Sequence, residues 1–190
     1  MGRLKVAMTL IMTALFVAAM VASLWCQQIT TDEQGTACCK EAKRILGLLG
    51  VKIDRDILIM VRPYDEVQVQ HNSGGGRAVE VGGYYQSHSP ESIWIVAGLS
   101  RSKAIAVLAH ELAHAWQSSN SPLQDRTLKE GFAEWCKWKT LLALGELSLA
   151  GRLLSLDDPD YGRGFKIFCN VEEKGGIPAV IQYARTATKP

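Results

Sequence analysis

The sequence predicts an α+β fold, with a small and mostly antiparallel sheet packed against helices and an apolar helix ahead of them. Three observations indicate this class. An uncharged apolar run opens the chain, short β-branched runs occupy its middle, and long stretches without Gly or Pro follow. With 190 residues, the chain is long enough for one domain with a proper core and too short for two.

The charge and cysteine content narrow the class of protein. The formal net charge is +2 and the basic residues are scattered, so no nucleic-acid partner is expected. Five cysteines occur without the Cys-x-x-Cys pair that indicates a structural zinc knuckle. Two interpretations stay open: Cys38 and Cys39 are buried thiols, or each pairs with Cys136 or Cys169 in an oxidising compartment.

The N-terminal segment, residues 1–26, predicts the compartment. Residues 6–25 contain twenty positions without a charge, Gly or Pro, and such a helix would be roughly 30 Å long, enough to cross a membrane. Arg3 and Lys5 precede it, which favours export of the rest of the chain to an extracytoplasmic location. Small residues up to Ser23 favour a cleaved signal peptide, whereas the length of the run favours a signal anchor in the membrane.

The rest of the chain is predicted to be a linker over 27–36 and one domain over 37–190. Apolar residues at helical spacing predict five helices, over 37–49, 102–118, 125–144, 161–169 and 176–184. Apolar and β-branched runs predict three strands, over 56–62, 78–86 and 92–97. The stretch 64–76 is polar, no helix or strand is predicted in it, and its last three residues, all glycines, are predicted to be a flexible loop.

An H-E-x-x-H pentad lies in the middle of the predicted 102–118 helix. Residues four apart share a helix face, so His110 and His114 present two imidazoles to one point, while apolar residues such as Leu112 face the core. Two neutral imidazoles at this spacing suit zinc, and Glu111 is placed to act as a general base on water. The alternative is a solvated helix face that carries two histidines by chance.

A third ligand is needed, because catalytic zinc usually has three protein ligands and a water. Glu130 and Glu134 lie on the next predicted helix, which a helical hairpin would bring alongside the first. The two glutamates share a face at i, i+4, so their spacing does not choose between them. His71 and His88 are expected to be loop residues and not ligands.

The pentad and the sequence after it resemble a known family. Residues 109–116 followed by 130–133 resemble the gluzincin pattern, in which H-E-L-A-H precedes N-E-G-F-A and the Glu of that motif binds zinc; Lys129 stands in place of the Asn. With 161–165 (Y-G-R-G-F), the chain from residue 56 onward is most similar to the peptidase domain of plant LIM-domain, ubiquitin-activated peptidases that limit organ growth, and to their bacterial relatives. The LIM and ubiquitin-interacting modules are lacking, so ubiquitin-linked regulation is not carried over.

This resemblance implies a zincin-type helical core and a set of roles. His110, His114 and Glu130 would bind one Zn²⁺, Glu111 would be the catalytic base, and Tyr161 would stabilise the oxyanion. Simpler alternatives exist for two of these residues: Glu130 is a surface charge, with another carboxylate binding the metal, or Tyr161 is a packing aromatic.

The predicted function is therefore that of a zinc-dependent metallopeptidase that hydrolyses peptide bonds in a peptide or protein substrate. An edge strand beside the pentad helix would offer a place for an extended substrate. The alternative from another class is a non-catalytic, membrane-tethered binding protein on a metallopeptidase fold. A third possibility is a membrane-anchored structural domain without a metal.

Overall fold

The computed structural model describes residues 28–73, 82–121 and 124–190. The predicted signal or anchor helix, residues 1–26, lies outside this part of the chain. Within it, no helix is both long enough and apolar enough to span a bilayer. The described residues form an α+β fold in which helices dominate a small sheet, as predicted.

Eleven elements make up the described part of the chain. Its helices are α1 (Asp32–Leu48), α2 (Tyr64–Ser73), α3 (Arg101–Asn120), α4 (Arg126–Ala143), α5 (Leu147–Leu154) and α6 (Tyr161–Thr186). Its strands are β1 (Gln28–Ile29), β2 (Leu58–Arg62), β3 (Gly83–Gln86), β4 (Ser92–Val96) and β5 (Leu99–Ser100).

The sheet has β4 at its centre, in the order β2-β4-β3. β2 runs parallel to β4, with Ile59 opposite Ile93, and β3 runs antiparallel to it, with Tyr84 opposite Trp94. The short strands β1 and β5 form a separate antiparallel pair. The three-stranded sheet is therefore mixed, with one parallel and one antiparallel pair, and not mostly antiparallel as expected. Among the described residues, β3 is an edge strand of this sheet.

No helix is predicted over 64–76, yet α2 occupies Tyr64–Ser73. The three glycines predicted to be a flexible loop, residues 74–76, lie outside the described residues. The amide of Val67 donates to the carbonyl of Pro63 and starts the helix, with acidic side chains in its first turn. Val67 is fully buried, but most of the other residues of α2 face solvent and are polar. The sequence of the segment therefore resembles that of a loop. A parallel β2–β4 pair needs a crossover connection, and α2 is part of it.

The linker predicted over 27–36 is also wrong from Gln28 onward. β1 begins there, and α1 begins at Asp32 instead of at residue 37. Thr31 and Gln34 form a capping box, in which the Gln34 amide donates to Thr31 Oγ1 (3.3 Å) and the Thr31 amide donates to Gln34 Oε1 (3.2 Å). This reciprocal cap explains the early start of the helix.

The C-terminal helices match the prediction in part. The two helices predicted over 161–169 and 176–184 are joined into α6, which has non-helical backbone at Gly176 where the sequence predicts a break. The short helix α5 was not predicted. It spans eight residues, buries Ala150 with Leu149 and Leu153 packed beside it, and leaves Leu147 and Leu154 exposed.

An aromatic cluster joins α3, α4 and α6 in the core. The ring of Phe132 lies 5.2 Å from that of Trp116, 6.0 Å from that of Trp135 and 5.5 Å from that of Phe168, measured between centroids. All four rings are at most 2 % exposed. Trp116 lies on the face of α3 that packs in this core, so the opposite face of α3 is left to line a cleft.

The cysteines of the described residues carry free thiols. Cys38, Cys39 and Cys136 are buried, and burial raises the pKa of each of these thiols. Of the two interpretations above, the described residues support buried thiols. Cys26 lies outside them.

Candidate metal centre

Three ligand-type atoms from α3 and α4 converge on one point. His110 Nε2 and His114 Nε2 are 3.1 Å apart, and Glu130 Oε2 lies 3.4 Å from the first and 3.3 Å from the second. Metal bonds of about 2.0–2.1 Å in a tetrahedral zinc site place ligand atoms about 3.3 Å apart. The triangle of donor atoms therefore has the size of one face of such a site.

The hydrogen bonding of Glu130 supports the same interpretation. Its Oε2 atom is buried and has no hydrogen-bond partner among the described residues. A buried carboxylate oxygen without a partner is costly, and a cation held between it and the two imidazoles would satisfy it. Two imidazole nitrogens and one carboxylate oxygen fit a single divalent ion of the zinc type.

Glu134 occupies a different position from Glu130. Its Oε1 atom lies 3.0 Å from Nδ1 of His110, behind the ring, and 3.0 Å from the ammonium of Lys137. The His110 contact has ion-pair distance without hydrogen-bond alignment, since Nδ1 has no hydrogen-bond partner. The structure thus separates two glutamates that spacing alone left equivalent: Glu130 faces both Nε2 atoms, and Glu134 faces the back of one ring.

The imidazoles and carboxylates of this cluster shift each other's pKa. Burial works against protonation of His110, but the carboxylates of Glu130 and Glu134 outweigh it and raise the pKa of the imidazole. Burial alone would raise the pKa of Glu130, yet His114 and His110 hold it well below its usual range. The cluster is therefore a buried site that attracts positive charge.

Glu111 lines the same cleft and is only 6 % exposed. Burial raises the pKa of its carboxyl group. Strand β3 passes directly over it: a Cβ atom at Gly83 would lie 3.2 Å from Glu111 Cγ and 2.7 Å from a methyl of Val107. The residue predicted as the base thus sits between the histidines and the edge strand.

Tyr161 lies at the start of α6 and also lines the cleft. Its ring is nearly parallel to that of His110, at 6.1 Å between centroids and 17° between planes. A close helix crossing brings it there, because a Cβ atom at Gly131 would lie 2.3 Å from the carbonyl carbon of Gly164. Gly131 and Gly164 therefore allow α4 and α6 to touch through their backbones.

The cleft between these helices and β3 has a volume of about 690 Å³. The structure brings all five predicted site residues into its lining: His110, Glu111, His114, Glu130 and Tyr161. His71, predicted to be a loop residue, is instead buried on α2, lines this cleft and packs edge-on against Tyr84. His88 is exposed, as expected for a loop residue.

Polar contacts hold the strand side of the cleft. Arg55 donates two hydrogen bonds to the carboxylate of Glu91, at 2.6 and 2.8 Å, and one to the carbonyl of Ala115 on α3. The hydroxyl of Tyr85 on β3 donates to the same carboxylate and lies 3.3 Å from Ser118 Oγ. This network links β3 to the C-terminal end of the pentad helix. No local sequence pattern predicts it, because its members are far apart in the chain.

Comparison with protein-family models, with curated proteins and with solved structures gives no match. The motif resemblance to gluzincins therefore stays a prediction.

Proposed function

We propose that this protein is a zinc-dependent metallopeptidase of the gluzincin type. One observation carries the proposal: His110, His114 and Glu130 converge on a point in a cleft that also contains a buried glutamate, Glu111. Two histidines with a carboxylate, beside an unpaired general base, form the donor set of metal-assisted peptide hydrolysis.

In this proposal the metal has three protein ligands. His110 and His114 bind it through Nε2, and Glu130 binds it through Oε2, the buried oxygen without another partner. Glu134 contacts the Nδ1 side of His110 and orients the ring. When bound, zinc supplies Lewis-acid chemistry, polarising a carbonyl group and making water acidic enough to lose a proton near neutral pH.

Glu111 carries the proton in the proposed reaction. It accepts a proton from the attacking water and delivers it to the leaving amine, while the C–N bond breaks. Its burial raises its pKa, and so brings it towards the range in which a carboxyl group both accepts and donates a proton.

Tyr161 is proposed to donate a hydrogen bond to the oxygen that becomes negative in the tetrahedral intermediate. Burial, followed by the nearby charge of Glu130, raises the pKa of its hydroxyl. The group therefore keeps its proton at neutral pH and remains a donor.

The proposed substrate is an extended peptide or protein segment. β3 is an edge strand of the described sheet, and its residues line the cleft from Gly83 to Tyr85. A peptide added to this edge would run past Glu111 and the metal site. The proposed location outside the cytoplasm, tethered or secreted, rests on the sequence of residues 1–26.

The test is a comparison of Glu111→Gln with the wild-type chain and with Glu173→Gln, a control at an exposed position on α6. Loss of the general base should lower peptide turnover by about 10²–10⁴-fold while zinc stays bound. Glu173→Gln should leave both turnover and zinc content unchanged. Unchanged turnover in Glu111→Gln would contradict the mechanism. A zinc-loaded wild type that cleaves no peptide would favour the alternative of a non-catalytic binding protein.

A further inference from the structure

The charged residues of the cleft are not evenly distributed. The described carboxylates that line it are Glu111, Glu130 and Glu134, all of them next to the imidazoles. The acidic groups of the cleft are therefore all engaged at the metal site, and none lies further along its walls in the described residues.

The cations of the cleft lie on the same face of α4 as the two glutamates. Arg126, Lys129 and Lys137 all line it, at positions that flank Glu130 and Glu134 along the helix. The lining has as many cationic side chains as carboxylates, and Asp160, which is not part of the lining but pairs with Arg126, adds one further carboxylate. A divalent ion at the site would leave the cleft with a net positive charge, which favours an anionic ligand.

Of the three cations, Lys129 is the one without an acidic partner among the described side chains. Its backbone is fixed by a hydrogen bond of 3.1 Å from Gln117 to its carbonyl. Lys137 is bound to Glu134 at 3.0 Å. Arg126 is paired with Asp160 through Nε and interacts with the Tyr161 hydroxyl, so it offers a ligand only its remaining guanidinium N–H groups.

The separation of Arg126 and Glu130 along α4 indicates how far from the metal site an anion bound by Arg126 would lie. Arg126 precedes Glu130 by one helical turn, about 6 Å along the axis. An extended peptide advances about 3.3 Å per residue, so about two residues separate a group at Arg126 and Lys129 from the scissile bond.

We propose that Arg126 and Lys129 bind a carboxylate of the substrate, about two residues from the scissile bond. This inference deepens the proposed function and rests on it. The carboxylate belongs either to an acidic side chain or to the C-terminus of the peptide, since both offer the same chemistry to a guanidinium and an ammonium.

The test uses four peptides of one length and otherwise identical sequence. They carry Glu or Gln two residues from the scissile bond, each with a free or an amidated C-terminus. Binding is measured by fluorescence anisotropy in the Glu111→Gln background, and cleavage is measured with the wild-type base in place. The variants are Lys129→Gln, Lys129→Arg and the control Lys166→Gln, which removes an exposed cation from α6.

The expected result is about tenfold tighter binding of the peptide that carries the recognised carboxylate. Lys129→Gln should remove most of that preference, Lys129→Arg should keep it, and Lys166→Gln should not change it. A difference between the Glu and Gln peptides identifies the side-chain carboxylate as the bound group. A difference between the free and amidated peptides identifies the C-terminal carboxylate. The preference should also weaken with added salt.

Two outcomes overturn the inference: equal or undetectable binding of all four peptides, or a preference that survives Lys129→Gln. The binding assay needs no turnover, so the two proposals can fail separately. Cleavage without a carboxylate preference would remove this inference alone. A carboxylate preference without cleavage of any peptide would remove the proposed function and leave the carboxylate site standing.

Discussion

The two walls of the cleft are built in different ways. The helical wall, formed by α3, α4 and the start of α6, is held by aromatic packing and by backbone contact between helices. The sheet wall, formed by β3, is held at the end of the cleft by hydrogen bonds among Arg55, Tyr85 and Glu91. Phe132 in the first wall is fully buried, whereas the Arg55 side chain in the second is 35 % exposed.

This difference matches what each wall has to do. The donor atoms of a metal site must keep their spacing within a few tenths of an ångström, and a close-packed core provides that rigidity. A strand that accepts different peptides gains from a partly solvated support that adjusts at lower cost. We therefore expect changes in the helical wall to affect stability and metal binding, and changes in the sheet wall to affect mainly substrate binding.

The largest effect is expected at the crossing of α4 and α6. Gly131→Ala would place a methyl group 2.3 Å from the Gly164 backbone, so the helices must separate. The expected cost is about 3 kcal/mol of unfolding free energy, measured by chemical denaturation, with reduced peptide turnover because Tyr161 moves with α6.

Gly151→Ala is the matched control for this change. Gly151 is an exposed helical glycine on α5 with no atom near its missing Cβ. Alanine there should be neutral or should stabilise the protein by up to about 1 kcal/mol. Equal stability of the Gly131→Ala and Gly151→Ala variants would show that the helical wall does not depend on the crossing.

A smaller effect is expected from Glu134, which contacts His110 on the side of the ring away from the proposed metal. Glu134→Gln keeps the shape of the side chain but removes the charge that faces His110 Nδ1 and Lys137. Zinc affinity should fall by about 10–100-fold in competition with a chromophoric chelator, while one ion per chain still binds at saturation. An affinity equal to that of the wild type would mean that Glu134 does not orient His110.

The smallest of these effects is expected in the sheet wall. Glu91→Gln weakens the hydrogen bonds from Arg55 and Tyr85, which should cost about 1–2 kcal/mol and raise KM more than it lowers kcat. Glu41→Gln is the control, because Glu41 pairs with Arg44 on the surface of α1, where the arginine side chain is 60 % exposed. Its effect on stability should be much smaller than that of Glu91→Gln.

The Glu91 contribution should also depend on pH. The hydrogen bond from Arg55 outweighs burial and lowers the pKa of Glu91 in the folded protein. A lowered pKa stabilises the folded state at pH values above the ordinary carboxyl pKa of about 4.3, and that stabilisation is lost as the pH falls through the folded value. The stability difference between wild type and Glu91→Gln should therefore shrink on acidification. A difference independent of pH would contradict this assignment.

The helical wall could be predicted from the sequence because its signals are local. The pentad places His110 and His114 on one face within a single helix, and the glycine after Glu130 lies in the same motif. The choice between Glu130 and Glu134 could not be made, because residues four apart share a face and their rotation about the axis is set by packing with α3 and α6.

The strand of the sheet wall lies within the strand predicted over 78–86, but the hydrogen bonds that hold this wall could not be predicted. Arg55, Glu91 and Ser118 come from three distant parts of the chain, and no local pattern joins them. The sequence likewise predicts His71 to be a loop residue, because α2 buries few of its side chains and so lacks the apolar periodicity of a packing helix. Local motifs thus predicted the chemistry of the cleft, and long-range packing determined its opposite wall.

The most direct test of the central claim is the zinc content of the purified full chain and of its Glu130→Gln variant, measured by elemental analysis after removal of loosely bound metal. If His110, His114 and Glu130 form one metal site, the wild type should hold one zinc ion per chain and the variant should hold substantially less. A wild type without zinc, or a Glu130→Gln variant that holds as much zinc as the wild type, would contradict the account.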